Sequence, residues 1–125
     1  MEEQIMNMPA VALRGLTILP GMIAHFDISR ERSLRAVEEA MEQDQKIYLV
    51  TQRNVDSEDP TQEDLYQMGI VADIKQVVRL QNDVVRILVD GISRAALLGF
   101  TGNEKYLEAE ICYFDSNKDS LPEDL

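Results

Sequence analysis

Two long apolar runs joined by a short polar turn constrain the fold of this chain most. In the first run, GIVADIKQVVRL, apolar residues alternate with more polar ones and share one face: Ile70, Ala72, Ile74, Val78 and Leu80. Alternation with a period of two is typical of a β-strand with one buried face. Residues 81–83 form the turn, and residues 84–90 return as the hairpin partner. The chain of 125 residues has the length of one domain.

Two positions are expected to interrupt this hairpin. Gln76 places a polar side chain on the apolar face, which predicts a bulge or bend. The pair Asp90-Gly91 predicts a bulge or corner in the returning strand, which continues over residues 92–98.

The remaining elements are predicted from shorter patterns. Further strands are expected at residues 9–15, 22–28, 46–51 and 106–114, of which 46–51 is apolar throughout and should be covered on both faces. Ser29 is the expected N-cap of a helix that ends near Glu42. The fold class predicted is α+β and β-rich, a small twisted barrel or packed sheets of about six strands with one main helix inserted early.

Composition narrows the classes of partner. The net charge of −11 disfavours binding to nucleic acid and to anionic membrane surfaces. No apolar run is long enough to span a membrane, and the acidic N-terminus does not resemble a secretory signal, so a cytoplasmic location is expected. Proteins, peptides or small ligands remain as partners.

The sequence offers little reactive chemistry. His25 is the single imidazole, and Cys112 shares a strand face with Glu108 and Glu110, whose charges would raise a thiol pKa. The acidic stretch 54–64 lacks the central glycine of a calcium loop, and the chain has no phosphate-binding glycine loop. We therefore predict no catalytic, cofactor or metal site in these residues.

Five segments, in order, resemble the N-terminal domain of Lon proteases. They are MPAVALRGLTILPGM (8–22), SRERSLRAVEEAM (29–41), KIYLVTQRNVDSEDP (46–60), DLYQMGIVADIKQVVRL (64–80) and VVRILVDGISRAAL (84–97). The fourth contains a characteristic aliphatic–Gly pair before the long strand, here Met68-Gly69. The last contains an acidic–Gly–aliphatic–x–Arg signature, here Asp90 to Arg94.

The resemblance implies a PUA-like fold at the N-terminus of a hexameric, ATP-dependent serine protease. In such a protease a helical region, an AAA+ module that uses ATP and magnesium, and a Ser–Lys catalytic domain follow. The expected domain plan is a disordered N-terminus at 1–7, the Lon N-terminal domain at 8–114, and an acidic linker at 115–125. The implied role is to recognise unfolded or degron-bearing proteins and to support oligomer assembly. Two alternatives stay open, a self-association module and a freestanding Lon-like reader of ligands or degrons.

Apolar residues at junctions between loops and strands are the candidate contacts for such clients. They are Met22, Ile23, Leu65, Tyr66 and Met68. A receptor for damaged proteins needs exposed apolar side chains, and methionine adapts to many sequences. The alternative is that these residues fill the core or pack against the helical region.

Overall fold

The computed structural model describes residues 3–53 and 68–114, which contain six strands and one helix. In chain order the elements are β1 (Glu3–Leu13), β2 (Ile23–Ile28), α1 (Glu31–Glu42), β3 (Lys46–Thr51), β4 (Met68–Arg79), β5 (Val85–Phe100) and β6 (Glu108–Phe114). This arrangement confirms the predicted β-rich α+β fold with one early helix.

The sheet closes into an uneven ring. Its strand order is β2-β5-β4-β3-β1-β6, and an additional pairing of β5 with β6 closes the five strands other than β2. β1 and β3 are parallel, whereas the other pairings are antiparallel. The length of β5 makes the closure possible, because its first part pairs with β2 and its last part with β6.

The central hairpin contains both predicted irregularities. The register of β4 and β5 shifts between Ile74 and Gln76, which leaves Lys75 without an opposed residue. A second shift leaves Ile92 unopposed, directly after Gly91. The turn uses Asn82 and Asp83 at φ of 63° and 62°, a left-handed conformation that these two residue types tolerate well.

The prediction of a disordered N-terminus at residues 1–7 was wrong for residues 3–7. These residues belong to β1, where they pair with β6 from Glu3 opposite Phe114 to Asn7 opposite Glu110. Pairing along a whole strand satisfies the backbone groups of this segment, so it is ordered despite its polar composition.

The prediction of Ser29 as the N-cap was also wrong. The helix begins at Glu31, and Arg30 is the N-cap residue without a side-chain capping bond. The Arg30 side chain instead donates to Gln52 Oε1 at 2.8 Å. Glu31 and Arg35, four residues apart on the exposed face of the helix, form an ion pair.

The last strand begins two residues later than predicted. Arg32 donates to the carbonyl oxygens of Asn103 and Tyr106, at 2.8 and 3.1 Å. The Asn103 side chain accepts bonds from the backbone N–H groups of Lys105 and Tyr106. These bonds hold residues 103–106 as a turn, so that β6 starts at Glu108.

Strand β3 lies between two apolar clusters, as its continuous apolar sequence predicted. Ile47 and Leu49 pack into the cluster that α1 covers, whereas Tyr48 and Val50 pack into the cluster inside the ring. The Tyr48 hydroxyl donates to the Ala95 carbonyl at 3.0 Å, and burial raises the pKa of this tyrosine. Each large side chain buried here contributes roughly 1.5–3 kcal/mol to stability.

Candidate functional site

The connection between β1 and β2 is fixed to strand β5 by backbone bonds. The N–H of Gly21 donates to the Gly91 carbonyl, and the N–H of Gly91 donates to the Met22 carbonyl, both at 2.9 Å. The N–H of Met22 also donates to the Leu19 carbonyl at 3.0 Å. Residues 19–22 are therefore held against β5.

Gly91 permits this close approach. A Cβ atom at position 91 would collide with the Leu19 carbonyl and would lie 2.8 Å from Ile70 Cδ1. A side chain at position 91 would push the connection away from the sheet. Gly91 thus positions Leu19 and Met22, which belong to the candidate surface.

Three of the five predicted contact residues are exposed at this place in the fold. Ile23 is 66% exposed and Met68 is 51% exposed, and Met22, which is also exposed, directly precedes Ile23 in the sequence. Leu19, which is also exposed, lines the same small pocket as Met68. The other two predicted residues, Leu65 and Tyr66, lie outside the described residues.

A row of apolar side chains extends from Met68 across four strands. Met68 of β4 is opposite Ala96 of β5, Ala96 is opposite Cys112 of β6, and Cys112 is opposite Ile5 of β1. Directly opposed residues of an antiparallel sheet lie on the same face. Ala96 and Cys112 are half-buried, whereas Ile5 is 62% exposed. We call these four residues the apolar row.

The apolar row could not be found from local sequence patterns. Ile5 lies in the segment predicted to be disordered, and Cys112 lies between acidic residues in sequence. Their proximity follows from the register of β6 with both β1 and β5, and the pairing with β1 places Ile5 opposite Cys112, about a hundred positions later in the chain.

An arginine lies beside this apolar surface. Arg94 is exposed, is opposite Ile70 in the β4–β5 pairing, and precedes Ala96 by two residues on the same strand. It lines the small pocket that Leu19 and Met68 share. The surface thus combines exposed apolar side chains with one cationic group.

The potential metal ligands and the glycines of the described residues are dispersed. Among them, no group of three His, Cys, Asp or Glu side chains could hold a metal. Gly15, Gly21 and Gly102 have positive φ, but they lie in separate segments and do not form a phosphate-binding loop. His25 lies on β2 opposite Leu88, away from Cys112. Among the helices described, none is long and apolar enough to cross a membrane.

Comparison with known proteins assigns the family. Residues 7–125 match the model of the ATP-dependent protease La (LON) substrate-binding domain. The chain belongs to this family. It is 41% identical over 111 residues to the Lon protease of Lachnoclostridium phytofermentans, which covers 89% of this chain and 14% of that protein. It is 33% identical over 126 residues to Lon protease 1 of Bacillus subtilis, covering 99% of this chain and 16% of the relative.

Two solved structures share the fold of this Lon-family domain. The N-terminal domain of Mycobacterium avium complex Lon protease superimposes with a TM-score of 0.67 at 19% identity, covering 85% of this chain and 53% of that one. The Lon N-terminal domain protein from Xanthomonas campestris gives a TM-score of 0.64 at 14% identity, covering 85% and 58%. The chain spans only 14% of the length of the Lachnoclostridium phytofermentans Lon protease.

Proposed function

We propose that this chain is the client-recognition domain of a Lon-type ATP-dependent protease. Its clients are unfolded or degron-bearing proteins, and they bind at the apolar row and at the neighbouring residues Leu19, Met22 and Ile23. The observation that carries the proposal is the exposure of Ile5 and Met68 in one row across four strands. The family model, whose description names substrate binding, supports it.

The physical reason is the chemistry of damaged proteins. Unfolding exposes aliphatic and aromatic side chains, and removing their surface from water releases about 0.8 kcal/mol for each buried CH2 group. A few half-exposed residues such as Met68 and Ile23 provide a modest affinity for many sequences. Several copies of the domain on one oligomer would raise the affinity through multivalency.

The remaining properties of the parent protein belong to the same proposal. A homo-oligomer with ATP-dependent, magnesium-requiring modules and a Ser–Lys proteolytic site would act on the clients that this domain binds. The net charge of −11 supports a role without nucleic acid and without anionic membranes. We also infer a cytoplasmic location. The single cysteine supports it, because one cysteine forms no disulfide within these residues and disulfides are rare in the cytoplasm.

The test is an NMR titration of the labelled chain with unfolded casein. Amide shifts are expected at residues 5, 19, 22, 23, 68 and 96. The variant Met68→Asp should weaken binding about tenfold, because it replaces an apolar contact with a charge that must be desolvated.

The matched control is Val78→Asp, an exposed apolar residue of the same strand at its other end. This variant should bind casein as the wild type does. Absence of shifts at millimolar casein, or equal weakening by both variants, would overturn the proposed surface.

Self-association through the same surface is the second candidate. The apolar row favours it, because one copy could cover the row of another. Sedimentation of the 125-residue chain separates the two functions. A tight dimer that Met68→Asp dissociates would assign the surface to assembly, whereas a monomer would leave it to clients.

A further inference from the structure

A small pocket beside the apolar row has apolar walls and one cation at its edge. It has a volume of about 100 Å³, and Leu19, Met68 and Arg94 line it together with the hydroxyl-bearing Thr17 and Thr51. We call it the junction pocket. The Thr51 hydroxyl is engaged, since it donates to the Leu16 carbonyl at 2.9 Å.

The guanidinium of Arg94 is exposed at this pocket. Within residues 3–53 and 68–114, no carboxylate forms an ion pair with it. Arg86 of the same strand differs, because Asp27 holds its guanidinium through two hydrogen bonds of 2.8 and 3.2 Å. A guanidinium that has no acidic partner among the described residues, next to exposed Leu19 and Met68, favours a ligand that is both apolar and anionic.

The contact between β4 and β3 closes one side of the pocket. At its inner side Gly69 lies against β3, where an added Cβ would be 2.5 Å from the Leu49 carbonyl and 2.6 Å from the Tyr48 side chain. Strands β3 and β4 are therefore in close contact at this side of the pocket. A C-terminal residue needs only one opening, because its chain continues in one direction.

Building on the proposed function, we propose that the junction pocket binds the free C-terminal carboxylate of a client whose last residues are apolar. Arg94 pairs with the carboxylate, and Leu19 and Met68 contact the terminal side chain. The preceding apolar residues of the client lie along the apolar row.

The charge of the molecule favours this ligand over an acidic side chain. With a net charge of −11, the chain repels segments that carry several carboxylates. A peptide with an apolar end brings a single negative charge, directly to Arg94 in the lining of the pocket. A terminal carboxylate is therefore the anionic group that the negative charge of the rest of the domain repels least.

The experiment compares two fluorescent peptides that share a Gly/Ser stem and an Ala-Leu-Leu end. One ends in a free carboxylate and the other in a carboxamide, and their affinities for the chain are measured by anisotropy at low salt. Amidation should weaken binding about fivefold to tenfold, the effect expected for an exposed Arg–carboxylate pair with good geometry. Arg94→Gln should bind both peptides equally, whereas the control Arg86→Gln should keep the preference.

The outcomes separate this inference from the proposed function. If the wild type binds both peptides equally, the carboxylate site is overturned and client binding stands. If it binds neither peptide, both proposals are overturned. A preference that persists in Arg94→Gln would remove Arg94 from the site. The comparison of peptides on the wild type needs no variant, so a folding defect in Arg94→Gln would not obscure it.

Discussion

Single residues determine how closely the strands and the β1–β2 connection approach one another. Gly69 allows β4 to lie against the Leu49 carbonyl and the Tyr48 ring, and Gly91 allows the Leu19 carbonyl to lie on β5. Both glycines belong to the sequence segments that resemble Lon proteases. Their role is steric. Gly69 permits the close contact of β4 with β3 next to Met68, and Gly91 permits the close contact of the β1–β2 connection with β5 next to Met22.

The pair of Asp27 and Arg86 gives a prediction at the scale of residues. Hydrogen bonding from Arg86 is the main reason that the pKa of Asp27 lies below its ordinary value of 3.8. A lowered folded pKa stabilises the fold above the ordinary value, and this stabilisation is lost as the pH falls through the lowered one. Arg86→Gln should raise the pKa of Asp27 toward 3.8, as measured by NMR titration of the carboxyl carbon.

The control for this titration is Arg79→Gln, whose arginine lies near Glu38 and not near Asp27. This variant should leave the pKa of Asp27 as it is. An unchanged value in Arg86→Gln would contradict the assigned cause.

At the scale of elements, local patterns predicted the strands whose environment is uniform. β3 was predicted to the residue because it is apolar throughout, and the bulge at Gln76 followed from one polar side chain on an apolar face. Residues 3–7 were missed because their pairing partner is β6, whose position relative to β1 no local pattern encodes.

The same reason limits prediction of the candidate surface. Met22, Ile23 and Met68 were chosen as apolar residues at strand junctions, and the structure exposes all three. Ile5 and Cys112 complete the apolar row only through the registers of two antiparallel pairings. Arg94 is a candidate contact residue because the structure places it in one pocket with Leu19 and Met68.

The first half of β1 gives the prediction at the scale of elements. Deleting residues 1–7 removes the pairing from Glu3 to Asn7 and exposes the edge of β6. The free energy of unfolding should fall by about 2 kcal/mol, since each lost backbone bond contributes about 0.5–1.5 kcal/mol and ordering entropy offsets part of it. Urea unfolding followed by circular dichroism measures the change.

Ile5→Asp is the matched control for this deletion. The side chain at position 5 is exposed, so the substitution should keep most of the stability while it weakens casein binding. A truncated chain with the unfolding midpoint of the wild type would show that residues 3–7 add no stability to the ring.

At the scale of the whole molecule, an acidic domain carries a surface that is apolar. The negative charge attracts basic segments over a distance of about 10 Å at an ionic strength of 0.1 M, and the apolar row acts only on contact. Among clients of equal apolar content, the domain should therefore bind basic clients more tightly than acidic ones.

Two unfolded peptides with the same apolar core, flanked by lysines or by glutamates, test this selection. The lysine form should bind about tenfold more tightly at an ionic strength of about 0.05 M, because the net charge of −11 attracts one and repels the other. At about 0.5 M salt the two affinities should converge, because screening leaves only the apolar contacts. Isothermal titration at both salt concentrations measures the difference. A preference for the glutamate form would mean that Arg94, and not the net charge of the domain, governs the choice of client.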